Sequence, residues 1–144
     1  PYCPDEVMIE AGVTPVKDVN TLYSECQFIS LHIPATNETK KSINYALLNQ
    51  MPKGAVLINT ARKEVINEEE LVKLMEDRAD FRYVSDIAPV IADEFKTKFE
   101  NRCFFTPKKM GAQTAEANIN AGIAAAKQSV GYLKDGIDRF RVNK

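Results

Sequence analysis

Arg62 follows an apolar run of strand length and is well placed to bind an anionic small molecule. Residues 55–66 read AVLINTARKEVI, so the apolar run ends in Asn-Thr-Ala and the arginine comes next. In an open parallel sheet, ligands bind outside the carboxyl ends of the strands. A guanidinium there can hold a carboxylate through two parallel hydrogen bonds. The alternative is that Arg62 caps a loop or pairs with Glu64.

Three further segments carry short patterns that belong with this one. Residues 30–39 read SLHIPATNET, residues 84–89 read VSDIAP and residues 105–117 read FTPKKMGAQTAEA. With the Asn-Thr-Ala-Arg segment, they resemble, in order and spacing, four segments of the D-2-hydroxyacid dehydrogenases. Each alone is a weak signal, but four in register over nearly the whole chain are a strong one. Within that family the chain is most similar to the short D-3-phosphoglycerate dehydrogenases, which carry Lys where relatives carry His.

The resemblance implies a role for individual residues. Arg62 would hold the substrate carboxylate and carbonyl oxygen, and Lys108 would remove the hydroxyl proton. Asp86 would accept a hydrogen bond from the nicotinamide carboxamide, although it could instead cap a turn. His32 is either a cofactor contact or a packing residue at a strand end. The other implied cofactor-binding residues are Pro34, Thr60, Ala61 and Gly111.

The function implied by the resemblance is NAD-dependent oxidation of a 2-hydroxy acid. The first candidate is 3-phosphoglycerate, oxidised to 3-phosphohydroxypyruvate in the first step of serine biosynthesis. One alternative is a non-catalytic module that binds a nicotinamide cofactor, and another is a glyoxylate or hydroxypyruvate reductase. The presence of Arg62 favours an enzyme, because cofactor binding alone does not require it.

A lysine base differs chemically from the usual His–Glu pair of the family. The position of that Glu falls near Ile91, which cannot ionise, but a primary amine needs no carboxylate to fix a tautomer. A lysine pKa of about 10.4 must fall by roughly 2–3 units for base catalysis near neutral pH, through burial and nearby positive charge. Adjacency to Pro107 favours Lys108 over Lys109, although one extra residue before Gly111 leaves the register open. The alternative is a pair of solvated loop lysines.

Composition narrows the class of protein. The 144 residues, 44% of them hydrophobic, fit one soluble globular domain. A net charge of −1 argues against nucleic-acid binding, and no apolar run reaches the roughly 20 residues of a membrane span. Three cysteines without metal-ligand spacing and a single histidine predict no metal site. Reduced thiols are typical of the cytosol, so we expect a cytoplasmic protein.

Hydrophobic periodicity and capping residues predict alternating helices and strands, and therefore a parallel α/β sheet. The resemblance implies that this sheet is of Rossmann type. The predicted helices cover residues 5–11, 19–25 (capped by Asp18), 45–50, 68–77 (capped by Asn67) and 115–134, with a short one around residues 93–98. The predicted strands cover residues 13–16, 28–33, 56–59, 81–85 and 102–105.

The glycines suggest that part of a nucleotide-binding domain is missing. None of the six forms the G-x-G-x-x-G loop that lets a pyrophosphate approach the backbone. We therefore expect a domain truncated in its N-terminal half. Residues 1–114 would be the C-terminal part of the NAD-binding domain, and residues 115–144 a long helix and tail returning toward a substrate domain. The resemblance also implies a homodimer.

Overall fold

The computed structural model describes residues 3–107, 114–139 and 141 of a chain that divides into two compact units, Pro1–Lys108 and Lys109–Lys144. The elements of the first unit are α1 (Asp5–Glu10), α2 (Val19–Glu25), β1 (Phe28–Leu31), α3 (Tyr45–Leu48), β2 (Val56–Asn59), a 3₁₀ helix (Lys63–Val65), α4 (Glu68–Asp77), β3 (Arg82–Ser85), α5 (Ala92–Lys98) and β4 (Cys103–Phe105). The second unit contains α6 (Ala115–Asp135).

The four strands form one sheet in the order β1-β2-β3-β4, and every pair is parallel. Each strand has only three or four residues, and each of the three crossovers between consecutive strands contains a helix. Parallel pairing brings all the carboxyl ends to one edge of the sheet. The predicted α/β parallel sheet is therefore confirmed.

The core lies between the sheet and the helices of the first unit. The predicted apolar face of α4 is fully buried through Leu71, Leu74 and Met75. Burying a side chain of this size contributes about 1.5–3 kcal/mol. Tyr83 and Phe105 of the sheet pack against Phe95, with ring centroids 5.9 and 5.8 Å from that of Phe95, and their own centroids are 5.6 Å apart. This aromatic cluster supports the strands from which the candidate site projects.

Helix ends follow the capping residues in the sequence. The Asp18 carboxylate accepts a hydrogen bond from the Thr21 backbone N–H at 2.8 Å, at the start of α2. Asn67 caps α4 in the same way, and three glutamates occupy the first turn of that helix, where the dipole favours negative charge. Gly136 ends α6 with a φ of 65°, in the left-handed region that glycine adopts readily. These predicted caps are confirmed.

One predicted strand is wrong. Residues 13–16 form no strand but an irregular segment between α1 and α2. Val13 and Val16 are 54% and 40% exposed, so these two valines are not packed against a sheet. The strands predicted over residues 28–33, 81–85 and 102–105 are shorter than expected at one end, and the 3₁₀ helix was not foreseen.

An arginine clamp fixes the amino-terminal edge of the sheet. The Arg78 guanidinium donates to the carbonyl oxygens of Met51 and Pro52 at 2.7 and 2.8 Å, and to the Asp80 carboxylate at 2.7 Å. Asp80 also accepts from the Gly54 backbone N–H at 2.6 Å. The hydrogen bond from Arg78, which has the largest effect, and that from Gly54 hold the pKa of Asp80 well below its usual range. The clamp lies at the end of the sheet opposite to the candidate site.

The three cysteines are unpaired thiols, with Cys3 exposed and Cys26 and Cys103 partly buried. Within the described ranges, no three side chains of metal-binding type are grouped together. The helices of that part of the chain include none with the length and hydropathy needed to cross a bilayer.

Candidate cofactor and substrate site

The carboxyl edge of the sheet carries most of the residues singled out from the sequence. The last residues of the strands pair in register, Leu31 with Asn59, Asn59 with Ser85 and Ser85 with Phe105. The residues that follow these strand ends along the edge are His32, Thr60, Asp86 and Thr106. Because neighbouring strands are about 4.8 Å apart, this row is roughly 14 Å long.

Asn59 is buried at the end of β2, where its side chain shapes the turn that leads to Arg62. It is only 1% exposed. Its Oδ1 accepts from the Ala61 backbone N–H at 3.0 Å, and its Nδ2 donates to the Arg62 carbonyl oxygen at 3.0 Å. The same Nδ2 donates to the Tyr83 hydroxyl at 3.4 Å. A single amide thus holds both ends of a tight turn.

Arg62 extends from this turn into solvent. Its backbone is extended, with φ −145° and ψ 142°, and precedes the 3₁₀ helix. The guanidinium donates to the Ala61 carbonyl oxygen at 2.8 Å, and no ion pair joins it to Glu64. The alternative of an Arg62–Glu64 pair is therefore not observed. An exposed guanidinium with one local contact keeps further N–H groups for a ligand.

Asp86 presents a buried acceptor at the end of β3. Its backbone N–H donates to the Asn59 carbonyl oxygen at 3.2 Å, and its carbonyl oxygen accepts from the Thr106 hydroxyl at 2.8 Å. Its Oδ1 is buried and has no hydrogen-bond partner among the described residues. Buried polar atoms are nearly always satisfied, so an orphaned carboxylate oxygen here fits an external N–H donor such as a carboxamide.

The β1 end of the row is more exposed. His32 Nε2 lies 2.9 Å from the Ser30 hydroxyl, and both residues face solvent. The loop that follows is braced by the Thr39 hydroxyl, which donates to the Pro34 carbonyl oxygen at 2.6 Å. Thr60 is exposed in the turn after β2, whereas Ala61 is buried. The structure thus brings His32, Thr60 and Asp86 to one edge.

Ile91, near which the resemblance implies the Glu of the usual His–Glu pair, is an apolar residue that packs against the core. The carboxylate that contacts this segment is Glu68, which accepts from the backbone N–H groups of Val90 and Ile91 at 3.0 and 3.3 Å. Glu68 therefore fixes the loop's backbone. Lys108, Lys109 and Gly111 lie outside the described residues, so their predicted roles stay predictions.

Two polar residues with structural importance at this edge were not singled out from the sequence. Ser85, 1% exposed, donates from its hydroxyl to the Asn59 carbonyl oxygen at 2.9 Å and accepts from the Ile87 N–H at 3.2 Å. The sequence marks Asn59 only as part of the Asn-Thr-Ala-Arg motif. The signal for both residues is a polar side chain at the last position of a strand, directly after Ile58 in β2 and after Val84 in β3.

Comparison with known proteins defines the class of this chain. Residues 2–107 match the family model described as D-isomer specific 2-hydroxyacid dehydrogenase, NAD binding domain. The chain therefore belongs to the D-2-hydroxyacid dehydrogenase family and contains NAD-binding domain sequence. The predictions of the family, the Rossmann-type fold and NAD as the cofactor are confirmed.

The individual relatives include phosphoglycerate dehydrogenases and a glyoxylate reductase. A D-3-phosphoglycerate dehydrogenase from Haemophilus influenzae is 34% identical over 135 residues, which cover 89% of this chain and 32% of the relative. A glyoxylate reductase from Thermofilum pendens is 32% identical and is matched over 38% of its length. The crystal structure of NAD+-bound 3-phosphoglycerate dehydrogenase in Entamoeba histolytica is 48% identical, with a TM-score of 0.79 over 90% of this chain and 42% of that one. The chain thus spans well under half the length of each of these relatives.

Proposed function

We propose that this chain acts within an NAD-dependent dehydrogenase that oxidises a D-2-hydroxy acid, with 3-phosphoglycerate as the substrate. The main support for the proposal is that two groups lie at the same edge of the sheet. One is the exposed Arg62 after β2, and the other is the Asp86 Oδ1 after β3, which is buried without a hydrogen-bond partner. The Haemophilus and Entamoeba relatives, both named as phosphoglycerate dehydrogenases, support this substrate over others.

The carboxyl edge of the sheet is the proposed site for NAD. Asp86 Oδ1 accepts a hydrogen bond from the carboxamide of the cofactor, which would satisfy that buried atom. Thr60 and Ala61 line the cofactor beside it, and His32 and Pro34 contact the adenosine side. NAD, when bound, supplies the electrophile that takes a hydride from C2 of the hydroxy acid.

Arg62 and Lys108 are the proposed catalytic residues. The Arg62 guanidinium binds the substrate carboxylate with two parallel hydrogen bonds, which fixes the C2 carbon for reaction. The Lys108 amine, in its neutral form, takes the proton of the C2 hydroxyl as the carbonyl forms. A general base of this kind typically contributes 10²–10⁴-fold to the rate.

A second candidate function is a glyoxylate or hydroxypyruvate reductase. The Thermofilum pendens relative favours it, because its identity of 32% is close to that of the Haemophilus phosphoglycerate dehydrogenase. Both reactions would use Arg62 and a hydride transfer at the carbon next to the carboxylate. Their substrates differ in the remaining group on that carbon. A non-catalytic NAD-binding module would need neither Arg62 nor a base.

The test is a substrate panel on the full-length protein. We expect NAD reduction with D-3-phosphoglycerate and a much lower kcat/KM for glycerate and glycolate, which lack the phosphate. Higher kcat/KM with glyoxylate or hydroxypyruvate and NADH would favour the reductase. Cofactor binding without turnover of any of these compounds would favour the non-catalytic module. Sedimentation of the same preparation tests the proposed homodimer, and cell fractionation tests the proposed cytoplasmic location.

A further inference from the structure

We propose that Asn59 is a positioning residue for substrate binding, because its buried amide fixes the backbone from which Arg62 projects. The inference rests on the proposed function, in which Arg62 binds the carboxylate. It assigns a role to a buried side chain that acts through the turn it holds.

The amide uses both of its functional groups on one short turn. Its oxygen accepts from the Ala61 N–H at 3.0 Å, and its nitrogen donates to the Arg62 carbonyl oxygen at 3.0 Å. These two bonds set the direction in which the chain leaves β2. An Asx turn of this type fixes the backbone more firmly than solvent contacts would.

Burial keeps the amide itself in one orientation. Asn59 is 1% exposed, and its nitrogen also donates to Tyr83, whose ring packs between Phe95 and Phe105. An amide anchored in an aromatic cluster cannot rotate without leaving buried polar atoms unsatisfied. The Asn59 amide therefore fixes the turn that contains Arg62 to the sheet.

The main chain of Asn59 makes a separate connection to the cofactor side. Its carbonyl oxygen accepts from the Asp86 N–H at 3.2 Å and from the Ser85 hydroxyl at 2.9 Å. Replacing the Asn59 side chain keeps this carbonyl in place. Loss of the side chain should therefore affect the arginine while leaving Asp86 where it is.

The expected effect follows from the geometry of the guanidinium. A bidentate contact needs the planar fork at a fixed angle, and a misplacement of about 1 Å can cost about 10²-fold in rate. In the full-length enzyme, Asn59→Ala should lower kcat/KM for the hydroxy acid by about 10–100-fold. The KM for NAD should rise by a clearly smaller factor, because Asp86 keeps its place and only Thr60 and Ala61 of the same turn belong to the proposed cofactor site. The exposed Asn101→Ala, at the opposite end of the sheet, is the matched control and should change neither value.

A double-mutant cycle with Arg62→Lys separates positioning from general damage. A lysine is a point charge on a flexible stem and tolerates a shifted backbone better than a planar fork does. In the Arg62→Lys background, Asn59→Ala should therefore cost less than about threefold. Equal losses in both backgrounds, or equal effects on the NAD and hydroxy-acid parameters, would overturn the positioning role.

Asn59→Ser provides a second variant if Asn59→Ala fails to fold. The shorter side chain can accept from the Ala61 N–H but cannot reach two partners, so its loss should be intermediate and should show the same dependence on Arg62. Wild-type kcat/KM in a folded Asn59→Ser variant would contradict the inference. If Arg62→Lys itself leaves kcat/KM unchanged, the proposed role of Arg62 fails first, and this outcome is recognisable without any Asn59 variant.

Discussion

Asp86→Asn should weaken NAD binding while leaving the fold as stable as before, or slightly more stable. The Oδ1 of Asp86 is buried and has no partner among the described residues. A carboxylate oxygen in that state is costly without a ligand and gives a charge-assisted hydrogen bond with one. The asparagine keeps the shape of the side chain but removes the charge.

The size of each effect follows from typical hydrogen-bond energies. Bonds to charged groups contribute about 1.5–3 kcal/mol and neutral ones about 0.5–1.5 kcal/mol, so the substitution should cost about 1–1.5 kcal/mol of binding. That corresponds to a rise of about 5–15-fold in the Kd for NAD. Relief of the unpartnered charge should raise the free energy of unfolding of the cofactor-free protein by up to about 1 kcal/mol.

Calorimetric titration with NAD and thermal unfolding without it measure the two effects on the full-length protein. Asp93→Asn, which removes a charge from the exposed first turn of α5, is the control and should leave the Kd for NAD unchanged. An unchanged Kd in Asp86→Asn would refute the assignment of Asp86 as the carboxamide acceptor. A large loss of stability would mean that the carboxylate has a structural partner instead.

Three further predictions concern the reaction and the fold. Arg62→Lys should raise the activation free energy by about 1.5–3 kcal/mol and so lower kcat/KM by about 10–150-fold, because an ammonium cannot reproduce the bidentate fork. Steady-state kinetics would measure the loss. Lys108→Ala should lower kcat by about 10²–10⁴-fold with NAD binding intact, and wild-type kcat/KM should rise with pH through an apparent pKa below about 10.4. If Lys109→Ala loses activity and Lys108→Ala does not, the base is Lys109, one residue after the predicted position. The lowered pKa of Asp80 means that its stabilising contribution is present above pH of about 4 and is lost as the pH falls further. Urea unfolding should therefore show Asp80→Asn to be destabilised at neutral pH, with a smaller difference from wild type at pH of about 2.

Much of the fold was predictable because local signals and tertiary packing agree. The bounds of β2 follow from an apolar run that ends at Asn59, and those of α4 from the Asn67 cap and one apolar helix face. Residues 13–16 show the limit of such signals, since a short segment containing valines forms a strand only where a neighbouring strand can pair with it.

The candidate site was predictable in its motifs but not in its internal contacts. The sequence places Arg62 and Asp86 just after strands, and parallel pairing then brings them to one edge. The network through Asn59 and Ser85 depends on which side chains face inward at the last residue of each strand, a property of register and twist. The contact of Glu68 with the loop at Ile91 spans 23 residues and has no local signature.

Transfer of a labelled hydride tests the central proposal most directly. The full-length protein is incubated with NAD and D-3-phosphoglycerate that carries deuterium at C2, and the reduced cofactor is analysed by mass spectrometry. We expect deuterium in the NADH, a primary isotope effect on the chemical step and loss of both signals in Arg62→Ala. Unlabelled NADH, or no NADH while the protein still binds NAD, would contradict the proposed hydride transfer.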